Sequence, residues 1–128
     1  MIKLAMTAGT TTDITVIPIT KVFNTNDNLS LSDNVVKVLQ PGIYEVAGSA
    51  TITSTATSST GIAVWANGSQ VDTSAVWTAE AVGETQTVPI YALLNVVRTT
   101  DAGNVLVQFV PTGNPTIVSG TIGIKLIS

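Results

Sequence analysis

Eight carboxylates are the remaining candidates for acid or base catalysis in this sequence, because the chain contains no histidine and no cysteine. Those two absences exclude a Ser-His-Asp triad, a cysteine nucleophile and a zinc site with His or Cys ligands. Two carboxyl groups at a fixed distance in a cleft could hydrolyse a glycosidic bond, but these residues are spread singly among turns and polar strand faces. They are Asp13, Asp27, Asp33, Glu45, Asp72, Glu80, Glu84 and Asp101. We therefore predict a protein that is not an enzyme and uses no cofactor.

A second candidate for chemistry is the segment Asn24–Asn28, which places oxygen-bearing side chains at alternate positions. Calcium loops have this spacing, but they also carry several acidic residues and a distal glutamate. The segment has one acidic residue, Asp27, and no such glutamate. The sequence predicts a solvated turn here and no metal site.

Charge is sparse along the whole chain. Charged residues make up 10% of the sequence and the net charge is −3, whereas about a quarter of the residues of soluble domains are charged. The five basic residues are scattered, so no stripe is present to neutralise phosphates, and we expect no nucleic-acid partner. No apolar stretch is long enough to predict a membrane span. A neutral surface suits a subunit that packs against copies of itself, and it suits a secreted β-domain equally well.

The elements that must position any site are β-strands. Thr, Val and Ile recur throughout, and branching at Cβ favours pleated strands over helices. The segment 44–53 alternates cleanly between apolar and polar residues, whereas 88–97 and 105–110 are apolar on both parities. Because a strand in a two-layer sandwich has only one face toward the core, a second subunit could cover the other face, and long loops are the alternative. The predicted contact residues are Val88, Ile90, Tyr91, Leu93, Val97, Leu106 and Val110.

Turn signals divide the chain into eight to ten short strands. Asn67-Gly68 is a strong hairpin signal, since both central residues of a type I′ turn need positive φ, and Val71–Trp77 would be the returning strand. Pro18 places the strand 14–19 at a sheet edge or a bulge. The fold class is predicted as all-β, a two-sheet antiparallel jelly-roll sandwich. Residues 1–13 would form an N-terminal arm or first strand, and residues 14–128 a single jelly-roll domain.

Four motifs in order resemble the tumour-necrosis-factor-like and complement C1q-like jelly rolls. Leu39–Val46 is similar to the family's Pro-Gly-x-Tyr-x-Val strand, and Ile62–Gly68 to its apolar strand ending in Asn-Gly. Thr100–Val107 resembles the Gly-Asp pair before a Val-rich strand, with Asn104 where Asp is usual, and Val118–Ile124 resembles the last strand without its common aromatic residue. The resemblance implies a homotrimer, whose interface would contain the seven contact residues above. It carries over no receptor-binding residue.

Small, cysteine-free, Thr-rich jelly rolls look most like bacteriophage virion proteins, and fold alone does not fix function. The leading hypothesis is a trimeric capsid decoration, cement or head-fibre protein, assembled in the host cytoplasm and located in the virion. Its partners would be itself and a major capsid protein or other virion protein, with Met1–Thr12 as the docking arm.

Two alternatives belong to other classes. In a receptor- or carbohydrate-binding tip of a tail or baseplate, Trp65 and Trp77 would contact the ligand, together with the acidic loop Thr78–Thr85. Packing between the sheets is the competing role for both tryptophans. A bacterial C1q-like surface domain is the other alternative.

Overall fold

The structure, a computed structural model, describes residues 1–71, 76–97 and 105–128. Alternating apolar and polar residues give strands almost throughout this part of the chain, and every pairing between strands is antiparallel. The strands are β1 (Ile2–Met6), β2 (Gly9–Thr10), β3 (Ile19–Asn24), β4 (Leu29–Ser32), β5 (Val35–Val38), β6 (Gly42–Thr53), β7 (Ser59–Ala66), β8 (Ser69–Gln70), β9 (Val76–Thr78), β10 (Thr85–Val96), β11 (Val105–Thr112) and β12 (Thr116–Leu126). The described part thus holds twelve strands, where eight to ten were expected, because several of them are only two or three residues long.

Two sheets face each other. The front sheet has the order β10-β6-β12-β1-β3, with β2 added beside β12, and the back sheet has the order β4-β5-β11-β7-β8, with β9 added beside β7. Strand β10 is an edge strand, which accommodates Pro89 because a proline nitrogen cannot donate to a neighbouring strand. The prediction of an all-β, two-sheet antiparallel sandwich is confirmed.

The core lies between the sheets and takes one parity of each long strand. In β6 the residues Tyr44, Val46, Ala50 and Ile52 are buried, and Val107 and Phe109 of β11 face them from the back sheet. Tyr44 is fully buried, and its hydroxyl donates a hydrogen bond to the carbonyl oxygen of Gln40 at 2.9 Å. Burial raises the pKa of the Tyr44 hydroxyl above its usual value.

The N-terminal segment is part of the front sheet. Strand β1 lies between β12 and β3, and its residues Ile2, Leu4 and Met6 are buried in the core. The interpretation of Met1–Thr12 as a docking arm is therefore wrong, because detaching this segment would open the sheet and expose those side chains. No helix in the described residues is long and apolar enough to cross a membrane.

Two tight turns connect neighbouring strands of the back sheet. At Asn67-Gly68 both residues have positive φ, 51° and 81°, and β7 and β8 pair across them, so the hairpin prediction is confirmed. Of the predicted returning strand Val71–Trp77, residues 76 and 77 pair with β7 as part of β9, and residues 72–75 lie outside the described residues. Asp33-Asn34, with φ of 51° and 65°, makes a second turn of this type between β4 and β5. This turn was not predicted from the sequence.

The segment 14–19 is not the edge strand that its apolar residues suggested. Only Ile19 belongs to a strand, at the start of β3, and Pro18 lies just before it. The backbone N–H of Ile17 donates to the carbonyl oxygen of Phe109 at 2.8 Å. This bond holds the segment beside β11 of the back sheet and makes it one wall of a groove there.

Candidate functional site

The outer face of the front sheet, called the front face below, combines a flat centre with bulky apolar edges. The pairing register sets one row of side chains across five strands, with Tyr91 on β10, Ala47 on β6, Gly123 on β12, Lys3 on β1 and Phe23 on β3. The two ends of the row are large and exposed, since Tyr91 has 50% and Phe23 has 41% of its surface accessible. Between them the side chains are small or end in a flexible amine.

Neighbouring rows repeat this relief. Pro89, Ser49, Thr121 and Ala5 form the next row, and two hollows of about 340 and 250 Å³ open on the front face, both lined in part by Thr121. On the other side Leu93, which is 49% exposed, lies opposite Glu45, and Glu45 lies opposite Lys125. We call the central strip of small residues the trough, and Tyr91 with Leu93 the ridge.

The front face carries little charge. The side chains of Lys125 and Glu45 form the one ion pair found among the described residues, with 3.6 Å between Nζ and Oε1. Polar contacts elsewhere on the face are neutral, as between the hydroxyls of Thr51 and Thr87, which lie 3.0 Å apart. Removing water from such a surface costs little free energy, because few charged groups lose their hydration or need new partners.

The seven predicted contact residues do not form one patch. Val88 and Ile90 point into the core and are almost completely buried, so their assignment to an interface is corrected. Tyr91 and Leu93, of opposite parity on the same strand, lie on the front face. Val97 is exposed just beyond the end of β10. Leu106 and Val110 belong to the outer face of the back sheet, on the other side of the molecule.

The two tryptophans occupy different environments. Trp77 lies opposite Thr60 in the pairing of β9 with β7, is partly buried and packs against the core, which is the competing role given above; its role as a ligand contact stays a prediction. Trp65 is half-buried on the outer face of the back sheet and lines a groove of about 500 Å³ there. Val110 lines the same groove, so the structure brings together two residues that the sequence placed in different sites.

The Asn24–Asn28 loop uses its side chains within the turn. The amide oxygen of Asn24 accepts from the backbone N–H of Asn26, and that of Asn26 accepts from the N–H of Asn28, at 2.9 and 2.8 Å. Among the described residues no group of three or more acidic side chains could hold a metal ion.

The acidic loop is closed internally. Ser54 accepts from the backbone N–H of Glu84 and donates to the carbonyl oxygen of Ala81, while Glu84 accepts from the backbone N–H of Glu80. The carboxylate of Glu84 thus fixes the shape of its own loop. Asp72 and Asp101 lie outside the described residues.

The fold has clear counterparts among solved structures. The crystal structure of murine APRIL at pH 8.5 superposes with a TM-score of 0.65 and 14% sequence identity, covering 98% of this chain and 98% of that one. Rabbit GITRL superposes with a TM-score of 0.56 and 13% identity, covering 100% of this chain and 95% of that one. No family model and no curated protein sequence matches this chain. The structure is therefore a tumour-necrosis-factor-like jelly roll, and at these identities the likeness concerns the fold alone.

Proposed function

We propose that this protein is a non-enzymatic structural subunit that forms a homotrimer through its front face and serves as an accessory protein on a bacteriophage particle. The observation that carries the assembly is the relief of the front face, where the exposed ridge of Tyr91 and Leu93 borders a trough of small residues.

The ridge and the trough suit a head-to-tail contact. The ridge lies on the edge strand β10, whereas the trough lies over the middle strands β6 and β12. If the edge of one copy packs onto the centre of the next, each copy gives a different surface to each of its two neighbours, and the contact closes into a ring when the rotation permits. Three copies are the number that the family resemblance implies.

The size of the front face is of the order that a stable contact needs. Five strands spaced about 4.8 Å apart, with about 3.3 Å per residue along each strand, give an area on the order of 20 Å by 30 Å. A specific interface buries about 800 Å² on each partner. The flat projection of the front face is about three quarters of that value, and the side chains that project from it add accessible area. Its exposed aromatic residues Tyr91 and Phe23 are of the type enriched in interfaces.

The virion role is supported by the composition. A chain with 10% charged residues and a predominance of Thr, Ser and small apolar groups presents neutral surfaces, which suit packing between many copies in a regular shell. A trimer of this kind would act through contact area alone, linking capsid subunits and resisting internal pressure. This part of the proposal predicts that the chain is a stoichiometric component of purified particles.

Assembly is tested by sedimentation velocity of the native chain over a micromolar concentration range. We expect a single species with three times the mass of the 13.2 kDa chain. A species of monomer mass throughout that range would contradict the proposal. The virion role is tested separately, by mass spectrometry of gradient-purified particles from the source; absence of the chain from the particle band would contradict it without affecting the trimer.

A further inference from the structure

The outer face of the back sheet carries a groove that the assembly proposal does not use. Residues 14–16 form one wall, Trp65 and Gly68 form the opposite wall, and Gln108, Val110 and Pro111 lie along β11 between them. The wall of residues 14–16 is fixed beside β11 by the hydrogen bond from Ile17 to Phe109. The other wall is fixed by Asn67, whose side-chain oxygen accepts from the backbone N–H of Leu106 at 2.8 Å.

The chemistry of the groove is an aromatic ring beside an amide. Trp65 lies opposite Gln108 on the neighbouring strand β11, and both residues line the groove. A primary amide offers two N–H donors and an oxygen that accepts two hydrogen bonds, and Thr15 adds a hydroxyl at the wall. The face of the ring supplies apolar contact area.

Among the described residues, none of those that line the groove has an ionisable side chain. A charged ligand would therefore lose part of its hydration without gaining an opposite charge, which is unfavourable. A peptide that adds a strand needs a free sheet edge, but the groove lies on the face of β11, which pairs with β7 on one side, while on the other side the carbonyl oxygen of Phe109 accepts from Ile17. These features favour a neutral ligand with an apolar face and several hydroxyl groups.

We propose that the Trp65 groove binds a neutral oligosaccharide, with one sugar ring stacked on the indole and its hydroxyl groups bound to the amide of Gln108. The volume of about 500 Å³ lies within the range of roughly 300 to 1,000 Å³ that is usual for ligand clefts. The groove is on the opposite side of the molecule from the front face, so binding does not depend on the assembly.

The experiment uses the full chain with Trp77→Phe. This substitution removes one of the two tryptophans, so that Trp65 alone contributes tryptophan emission, and it keeps an aromatic ring against the core. Its emission is followed during titration with three neutral trisaccharides, triacetylchitotriose, cellotriose and mannotriose, and with the anionic 3′-sialyllactose. We expect saturable binding of at least one neutral sugar with a Kd of about 1 mM or tighter, and none of the anionic one.

Thr15→Arg and Thr12→Arg form a matched pair, because both residues are exposed on the same segment and only Thr15 lines the groove. Thr15→Arg and, independently, Gln108→Ala should weaken binding by about tenfold or more, while Thr12→Arg should leave it unchanged. Absence of binding by all three neutral sugars would overturn the proposal, and so would equal weakening by the two arginine variants. A change in native mass caused by Thr15→Arg alone would show that the groove holds a second copy, and would overturn it as well.

Discussion

The two outer faces of this sandwich are built by the same alternation of side chains but carry different surfaces. On the front face large apolar groups stand at the edges and small ones fill the middle, which produces a broad relief without a deep cleft. On the back face the segment 14–17 and the β7–β8 hairpin rise on either side of β11 and enclose a groove with Trp65. Broad relief suits contact with another protein, whereas a narrow aromatic groove suits a small ligand. One fold can therefore separate assembly from recognition on opposite sides.

The largest effect is expected where β6 packs closely against β12 in the front sheet. A Cβ at Gly48 would collide with the backbone of β12, with the carbonyl oxygen of Thr121 and with the Cα of Ile122, so Gly48→Ala should lower the free energy of unfolding by about 3 kcal/mol and abolish the trimer. At Gly123 a Cβ would meet the flexible end of Met1, at 3.1 Å from Sδ. Gly123→Ala should cost less than about 1 kcal/mol. Urea unfolding checks both, and equal losses would contradict the account of β6 and β12 packing.

The next prediction disturbs the back groove and leaves the front face intact. Asn67→Ala removes the acceptor for Leu106 and places alanine at a φ of 51°, and should cost about 2 kcal/mol. Asn67→Gly loses the same hydrogen bond but tolerates the backbone, so it should cost about half as much. Both variants should keep the native mass. A change in mass would mean that the hairpin belongs to the assembly surface.

A smaller effect than that of Asn67→Ala is predicted in the core that both sheets share. Tyr44→Phe removes the hydrogen bond to Gln40 and should cost about 1 kcal/mol at neutral pH. Because burial raises the pKa of Tyr44 in the folded state, its contribution is complete below the unfolded value of 10.0 and decreases as the pH rises toward the raised pKa. The wild type should therefore lose stability above about pH 10 more steeply than Tyr44→Phe. Urea unfolding on both sides of that pH checks this, and parallel curves would contradict it.

The architecture could be predicted where local signals agree. The alternation in 44–53 and the Asn67-Gly68 turn each have one physical interpretation, and both were confirmed. In 88–97 both parities are apolar, so the pattern could not show which side faces the core, and Val88 and Ile90 were assigned outward when they are buried. For residues 1–13 the sequence left an arm and a first strand open, and the structure has β1 there with Ile2, Leu4 and Met6 buried.

The groove could not be predicted because its parts come from three distant segments. Residues 14–16, Trp65 and Gln108 meet only when β11 pairs with β7 and Ile17 bonds to Phe109. No spacing in the sequence predicts that these residues lie close together, since their proximity depends on the register between strands. The front face shows the same limit, because its central row joins residues from five strands that are far apart in sequence.

The contrast between the faces is tested most directly by one leucine on each. Leu93 on the front face lies opposite Glu45, and Leu106 on the back face lies opposite Lys37. Leu93→Lys and Leu106→Glu therefore each add a charge beside an opposite cross-strand partner, which limits the effect on the monomer. In sedimentation velocity at equal concentration, Leu93→Lys should give the monomer mass and Leu106→Glu three times that mass. A trimer with Leu93→Lys, or a monomer with Leu106→Glu alone, would contradict assembly through the front face.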